Sequence, residues 1–159
     1  MNERSVWAGG AAYEPYVGRW SRLIAREFVR WLAVPPAARW LDVGCGTGAL
    51  TETILRAADP AEVKGVDPSA GFLKVAREHV RDPRVRFEVG DARHLALPSS
   101  SYDVVVSALV LNFIPDLPAG MAEMVRVVRP GGIVAGYVWD YAGKMELMRY
   151  FWDAAAALR

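Results

Sequence analysis

Three aspartates and a run of glycines have the types and spacing to bind a nucleoside. Asp42 lies just before a glycine-rich run, Asp67 follows 25 residues later, and Asp91 follows 24 residues after Asp67. Glycines let a backbone turn sharply and approach a ligand without a Cβ in the way. A carboxylate at Asp67 can accept both hydrogen bonds of a ribose diol, each worth roughly 1.5–3 kcal/mol. A second carboxylate, at Asp91, could accept a hydrogen bond from an adenine amino group.

Alternating strand and helix patterns place each aspartate at or just beyond the end of a strand. The predicted strands are 39–43, 62–67, 85–89, 102–108 and 133–138, and helices are predicted over 20–32, 49–58, 70–81, 117–128 and 144–158. Such alternation favours parallel pairing through right-handed crossovers. Ligands of these sheets bind beyond the carboxyl ends of the strands. The predicted fold class is α/β, with a doubly wound, mainly parallel sheet and helices on both faces.

Composition limits the kinds of function that fit this chain. Its 159 residues suit one domain, and 19 basic against 18 acidic residues with no basic stripe give no indication of nucleic-acid binding. The longest apolar stretch, 104–111, is far shorter than the ~20 residues of a membrane helix. Cys45 is the single cysteine, so no disulfide can form within the chain, and with two histidines a zinc site has too few ligands. We expect a cytoplasmic protein without a membrane span or a metal.

The glycine run by itself leaves two kinds of ligand open. Gly44, Gly46 and Ala49 also satisfy the G-x-G-x-x-A fingerprint of dinucleotide-binding proteins, and Asp67 lies near the position of an NAD ribose ligand. However, Asp42 precedes the first glycine by two residues, where a carboxylate would repel a pyrophosphate. The same charge suits a cationic sulfonium ligand or its amino group.

Each aspartate also has a structural interpretation that needs no ligand. Asp42 could cap the N–H groups of the neighbouring turn. Asp67 could form an Asx turn before Pro68. Asp91 could be an ordinary loop residue.

Five short motifs together resemble class I S-adenosylmethionine-dependent methyltransferases. The run 40–48 is similar to motif I of that family, and 66–69, 90–92, 102–105 and 129–132 are similar to the later motifs in the family's order. The resemblance covers about residues 38–139 and is closest to the type 11 branch, which includes quinone-biosynthesis C-methyltransferases. It implies a Rossmann-like fold, S-adenosylmethionine as cofactor, and methyl transfer to a small-molecule acceptor by direct displacement. The alternatives are a non-catalytic cofactor-binding domain and an NAD(P)-dependent oxidoreductase.

The resemblance also implies roles for matching residues. The glycine run would line the methionine part, Asp67 would bind the ribose, and Asp91 would contact the adenine. Arg19 would pair with the cofactor carboxylate, while Tyr16 would help to close the site. The predicted cofactor-binding residues are Arg19, Asp42, Gly44, Cys45, Gly46, Thr47, Gly48, Asp67, Pro68, Phe72, Asp91, Ala92, Ser107 and Ala108. No residue is identified as a catalytic base; Tyr16, His94, Asn112 and Trp139 are placed near the acceptor by position alone.

Residues 1–36 are predicted to form a helical segment that covers the cofactor site, and 37–159 the Rossmann-like cofactor-binding domain. Members of the family continue past the fifth strand with an antiparallel hairpin, whereas this chain ends at Arg159. The resemblance therefore implies that the domain is truncated and that the hairpin is missing. Because an uncovered edge strand invites pairing with another chain, we expect a homodimer through the edge of the fifth strand.

Overall fold

Strands and helices alternate along the computed structural model, which describes residues 19–140, 143 and 145–157. The strands are β1 (Arg39–Val43), β2 (Glu62–Asp67), β3 (Val85–Val89), β4 (Tyr102–Ala108) and β5 (Val128–Tyr137). The helices are α1 (Arg19–Leu32), α2 (Ala49–Ala57), α3 (Ala70–His79), α4 (Leu117–Val127) and α5 (Glu146–Ala157), with a short 3-10 helix at Leu111–Phe113. In the part of the chain described here, no helix combines the length and the hydropathy needed to cross a membrane.

The five strands form one parallel sheet in the order β3-β2-β1-β4-β5. The chain moves outward from β1 to β3 and then crosses back to the other side of β1, so the order reverses between β1 and β4. Parallel α/β sheets bind ligands outside the carboxyl ends of the strands at such a reversal. The predicted Rossmann-like fold class is confirmed.

The central strands are buried on both faces. Trp40 of β1 and Val104 of β4 belong to the core on the side of α1, α2 and α3, whereas Leu41 and Val105 belong to the core that packs against Met124 of α4. Successive side chains of a strand point to opposite faces. A nearly continuous apolar run is therefore what a strand covered by helices on both faces requires.

The predicted start of the fifth strand is wrong, because β5 begins at Val128 and the preceding helix ends one residue earlier. Residues 129–132 form an irregularity, after which regular pairing with β4 resumes at Ile133. Gly131 has a φ of 74°, in the left-handed region that favours glycine. Arg129 Nε donates to Asp103 Oδ1 at 2.6 Å and so ties this bulge to β4. A proline and two glycines thus interrupt the strand without ending it.

Helix α1 packs on the sheet and reaches its ligand-binding edge. Ala25, Phe28 and Val29 are buried, and the Phe28 ring meets Tyr137 of β5 edge-on at 4.8 Å between centroids. Ser21, in the first turn, lies at the carboxyl ends of the strands. The predicted covering segment 1–36 is thus described only from residue 19 onward.

Candidate functional site

A cavity of about 540 Å³ runs along the carboxyl ends of the strands. Most residues predicted to bind a cofactor line it. These are Asp42, Gly44, Cys45, Gly46, Thr47, Asp67, Pro68, Phe72, Asp91, Ala92 and Ala108. Residues up to 66 positions apart in sequence meet here because β3, β2, β1 and β4 are adjacent parallel strands that end at one edge.

The glycine-rich turn after β1 is fastened to β2 and open toward the cavity. Gly44 N and Cys45 N both donate to Val66 O, at 2.7 and 3.1 Å. Gly44 has a φ of 75°, and a Cβ there would lie 2.5 Å from Val110 Cγ1. Gly46 has a φ of 53°, and a Cβ built on it would meet no atom within 4 Å. The turn therefore presents bare backbone at Gly46, where a ligand can approach closely.

Asp67 ends β2 and is held by two backbone donors. Gly46 N donates to Oδ2 at 2.9 Å, and Ser69 N donates to Oδ1 at 2.8 Å. The second bond is the Asx turn considered above, so that structural interpretation is correct for one oxygen. Burial raises the pKa of Asp67, and the bonds from Ser69 and Gly46 lower it. An ionised carboxylate has about four acceptor positions, so each oxygen keeps a position for a ligand hydroxyl.

Asp42 is completely buried beneath the glycine-rich turn. Thr51 Oγ1 of α2 donates to Oδ2 at 2.7 Å, while Oδ1 has no partner among the described residues. Burial raises its pKa to about 7, the Thr51 hydrogen bond lowers it, and the nearby charge of Asp67 raises it further. The carboxylate of Asp42 thus accepts from Thr51 on α2 rather than from the N–H groups of the glycine-rich turn. An orphaned buried oxygen that borders a cavity is a position for a ligand donor.

Asp91 reaches the cavity as one half of an ion pair. Arg93 donates to it through the backbone N, Nε and Nη2, the last at 2.6 Å from Oδ2. These hydrogen bonds lower the pKa of Asp91 to about 2. Arg93 also lines the cavity. The carboxylate that the sequence predicts for an adenine contact therefore already has its charge balanced by Arg93, which the sequence spacing does not indicate.

Three of the predicted cofactor-binding residues are not placed in the cavity wall. Gly48 caps α2, and a Cβ there would face Val80 at 3.1 Å rather than the cavity. Ser107 is fully buried within β4, its hydroxyl has no partner among the described residues, and it does not line the cavity. The side chain of Arg19 lies outside the described part of the chain, as does Tyr16.

The positions suggested for acceptor contacts divide in a similar way. Trp139 lines the cavity, whereas His94 and Asn112 do not. Cys45 is buried, and burial is the main cause that raises the pKa of its thiol well above the usual value. The Cys45 side chain is therefore a neutral thiol that fills space, and the residue lines the cavity through its position in the turn.

Sequence reasoning missed the wall built after β4 and β5. Its members share an apolar or aromatic character and follow strand ends. They are Leu109, Val110, Phe113, Ile114, Pro115 and Tyr137, together with Ser21 of α1. The rule that strand ends form the binding edge could have identified Tyr137, the last residue of β5. The wall from 109 to 115 carries no polar signal and depends on how the chain turns after β4.

Comparison with known proteins identifies a family profile that this sequence matches. The profile is described as a methyltransferase domain and covers residues 41–136, from β1 to β5. This span contains the glycine-rich turn and the three aspartates of the cavity.

Individual relatives agree with that match. The methyltransferase GfsG of Streptomyces halstedii is 35% identical over 133 residues, which are 81% of this chain and 47% of the relative. The demethylmenaquinone methyltransferase of Lysinibacillus sphaericus is 37% identical over 110 residues, 68% of this chain and 47% of that protein. The chain spans less than half the length of the curated relatives it matches.

A solved structure shares the fold at lower sequence identity. It comes from a complex between the Haloferax volcanii Trm112 methyltransferase activator and a methyltransferase-like partner. The matched chain superposes with a TM-score of 0.81 at 20% identity, over 94% of this chain and 67% of that one. At this identity the likeness concerns the arrangement of strands and helices alone.

Proposed function

This chain belongs to the methyltransferase domain family, and we propose that it carries a methyl group from S-adenosylmethionine to a small-molecule acceptor. S-adenosylmethionine is the cofactor of this family. When bound, it supplies a sulfonium methyl group. The acceptor atom forms a bond to the methyl carbon as the carbon–sulfur bond breaks, and the electron pair remains on sulfur in S-adenosylhomocysteine.

The observation that carries this proposal is the meeting of two different carboxylates with bare backbone in one cavity. Asp67 offers unused acceptor positions at the end of β2, and Asp42 Oδ1 lacks a partner among the described residues. Gly46 adjoins Asp67, to which its N–H donates, and the position of a Cβ on Gly46 is empty. A ligand that combines a ribose diol with a cationic amino acid part fits this set of donors and acceptors.

Each residue has a distinct part in the proposed binding. Asp67 accepts hydrogen bonds from both ribose hydroxyls, and Asp91 accepts one from the adenine amino group. Asp42 balances the positive charge of the methionine part. The backbone at Gly44 and Gly46 approaches that part closely. Phe72 packs beside the adenine. Its backbone N–H donates to Ser69 Oγ at 3.3 Å, the N-cap bond of α3.

An NAD-dependent oxidoreductase is a poorer match to the same geometry. A dinucleotide would bring its pyrophosphate to the glycine-rich turn. Asp42 lies beneath that turn, completely buried and with an unpaired oxygen. A second negative charge there would be repelled in a medium of low dielectric constant.

Alignment and exclusion of water can supply much of the acceleration, because the methyl donor is already activated. The cavity walls perform this role in the proposed reaction. A dedicated base is not required when the acceptor presents an unprotonated lone pair. We therefore assign binding residues and no catalytic side chain.

The binding half of the proposal is tested by titration calorimetry with S-adenosylmethionine, S-adenosylhomocysteine and NAD. We expect S-adenosylmethionine and S-adenosylhomocysteine to bind and NAD not to bind. Asp67→Asn should weaken S-adenosylhomocysteine at least about 10-fold, because an amide cannot replace both carboxylate acceptors. Asp59→Asn is the matched control, since Asp59 lies outside the cavity with a largely exposed side chain. Tighter binding of NAD than of either adenosyl ligand would refute the proposal.

The catalytic half needs a separate measurement. Transfer of a labelled methyl group to compounds of a metabolite panel would establish that this chain is active by itself. Binding of the cofactor without transfer to any acceptor would favour the alternative, a non-catalytic cofactor-binding domain.

A further inference from the structure

We infer that the methyl acceptor is an uncharged compound with an apolar ring, bound against the wall formed after β4 and β5. This inference rests on the proposed function, because it concerns the part of the same cavity that the cofactor leaves free. It adds the chemical class of the acceptor, which the names of the relatives do not fix.

The order of the strands separates the two parts of the cavity. Asp91 follows β3, Asp67 ends β2 and the glycine-rich turn follows β1. Neighbouring strands are about 4.8 Å apart, so these three ends span roughly 10 Å. Strands β4 and β5 extend the sheet by about another 10 Å on the far side of β1. On the proposed function the adenosyl part would be held by Asp67 and Asp91 in the first half, which leaves the second half for the acceptor.

The second half has an apolar wall with a defined shape. Phe113, Ile114 and Pro115 follow the 3-10 helix and line the cavity. Ile114 packs on α4 so closely that a Cβ on Gly120 would lie 3.2 Å from its Cγ2. Phe113 is 57% exposed, at the rim. An exposed phenylalanine beside a cavity gains when an apolar ligand covers it.

Aromatic side chains from the end of β5 form another part of the wall. Tyr137 ends β5, and its ring is fixed by the edge-on contact with Phe28 of α1. Trp139 follows two residues later and is partly buried. Rings favour offset-stacked or edge-on partners at about 4.5–7 Å. Three aromatic residues in the lining, Phe113, Tyr137 and Trp139, therefore favour a ring-bearing acceptor.

The charges of the described lining residues disfavour an anionic acceptor. Asp42, Asp67 and Asp91 contribute carboxyl groups, and Arg93 is engaged with Asp91. Arg93 is the only cationic side chain among the described lining residues, so a carboxylate on the acceptor would find no free positive partner there and would lie against an apolar wall. Burying an unpaired charged group costs far more than burying an apolar one. The site should therefore bind a neutral ring more tightly than the same ring with a carboxylate.

Two probes of one shape test this preference without requiring turnover. The protein is saturated with S-adenosylhomocysteine and titrated by calorimetry with 2-naphthol and then with 6-hydroxy-2-naphthoate. We expect 2-naphthol to bind at least about 10-fold more tightly. Phe113→Ala should weaken 2-naphthol about 5-fold or more while S-adenosylhomocysteine binds as before.

A charge introduced at the rim provides a sharper test. Phe113→Lys should reverse the preference, so that the naphthoate binds more tightly than 2-naphthol. Val125→Lys is the matched control, because Val125 is also exposed, at 59%, but lies on α4 outside the cavity wall. That control should keep the preference of the unaltered protein.

The outcomes separate this inference from the proposed function. If S-adenosylhomocysteine binds but the naphthoate binds as tightly as 2-naphthol, the acceptor class is wrong and the proposed cofactor site stands. If both probes bind equally well to Phe113→Ala and to the unaltered protein, the assigned wall is wrong. If S-adenosylhomocysteine itself fails to bind, both proposals fall together.

Discussion

Asp42 combines complete burial with only one hydrogen-bond partner among the described residues. Its position two residues before Gly44 could be read from the sequence, and so could the suitability of a negative charge for a cationic ligand. Its bond with Thr51 could not be predicted, because that depends on how α2 packs across the end of β1. The same holds for Asp91, whose spacing was informative while its pairing with Arg93 was not.

The raised pKa of Asp42 makes stability depend on pH. An ordinary aspartate pKa is 3.8, and in the folded chain it is about 7. The unfolded carboxyl group ionises first as the pH rises, so this group's contribution to the free energy of unfolding falls from about pH 4 to pH 7. A pKa unit is worth about 1.4 kcal/mol, so the whole change is on the order of 4 kcal/mol. We expect Asp42→Asn to be progressively more stable than the unaltered protein over this range, measured by chemical denaturation.

Asp103 provides a control of opposite sign. A backbone hydrogen bond from Arg39 and a side-chain bond from Arg129 lower its pKa. Its contribution is therefore present near pH 7 and is lost on acidification, when the carboxylate is protonated. Asp103→Asn should be the less stable variant at pH 7, and that difference should shrink toward pH 3. Parallel pH profiles for Asp42→Asn and the unaltered protein would contradict the burial argument.

Cofactor binding should release a proton from the same carboxyl group. A cationic amino acid part stabilises the ionised form of Asp42, so binding near pH 6 should expel up to one proton. Calorimetry with S-adenosylmethionine in two buffers of different ionisation enthalpy measures this number directly. We expect the release to decline toward zero at pH 8 and to be absent in Asp42→Asn. Equal proton release in both proteins would show that another group titrates.

At the level of elements, helix α4 holds the loop that carries Asp91. Arg126 donates to Leu95 O and Leu97 O, each at 2.9 Å, and Glu123 Oε2 accepts from Leu95 N at 2.7 Å. Arg126 and Glu123 also bond to each other at 2.6 Å. One ion pair on a helix thus satisfies backbone groups of a loop that lies outside the regular strands and helices.

Removing this pair should loosen the loop more than the fold. We expect Arg126→Ala to speed amide hydrogen exchange at Leu95 and to weaken S-adenosylhomocysteine several-fold, because Asp91 is positioned from this loop. Arg30→Ala is the comparison, since Arg30 forms an exposed ion pair with Glu27 on α1, far from the loop in sequence. Such exposed pairs contribute little stability. Unchanged exchange at Leu95 would mean that Arg126 does not hold the loop.

The bounds of a strand could be predicted where the residues that mark them lie next to the strand in sequence. The bounds of β1 to β3 follow from short runs that end at glycine or aspartate, whereas the apolar run of β4 continues past its end at Ala108. The start of β5 does not follow from such a run, because Pro130 and Gly131 are breakers in most contexts. Here the bulge at 129–132 accommodates them, held by the Arg129 contact with Asp103 across the sheet. A long-range ion pair of this kind leaves no periodic trace in the sequence.

At the scale of the whole molecule, the two outer strands of the described sheet are β3 and β5. The inner side of β5 is occupied, since Leu109 N donates to Tyr137 O at 2.8 Å. Peptide groups alternate along a strand, so Val134 and Gly136 present their N–H groups outward. Unpaired strand edges pair readily with other chains. We expect a second copy of this chain to occupy that edge.

The dimer should appear in light scattering as a mass that rises with concentration across the micromolar range. Hydrogen exchange then locates the contact: the amides of Val134 and Gly136 should become protected as concentration rises. The amide of Ala135 serves as an internal reference, because it points toward β4 and is protected in one chain alone. A constant monomer mass would exclude the dimer. A dimer whose Val134 and Gly136 amides stay unprotected would place the interface elsewhere on the molecule.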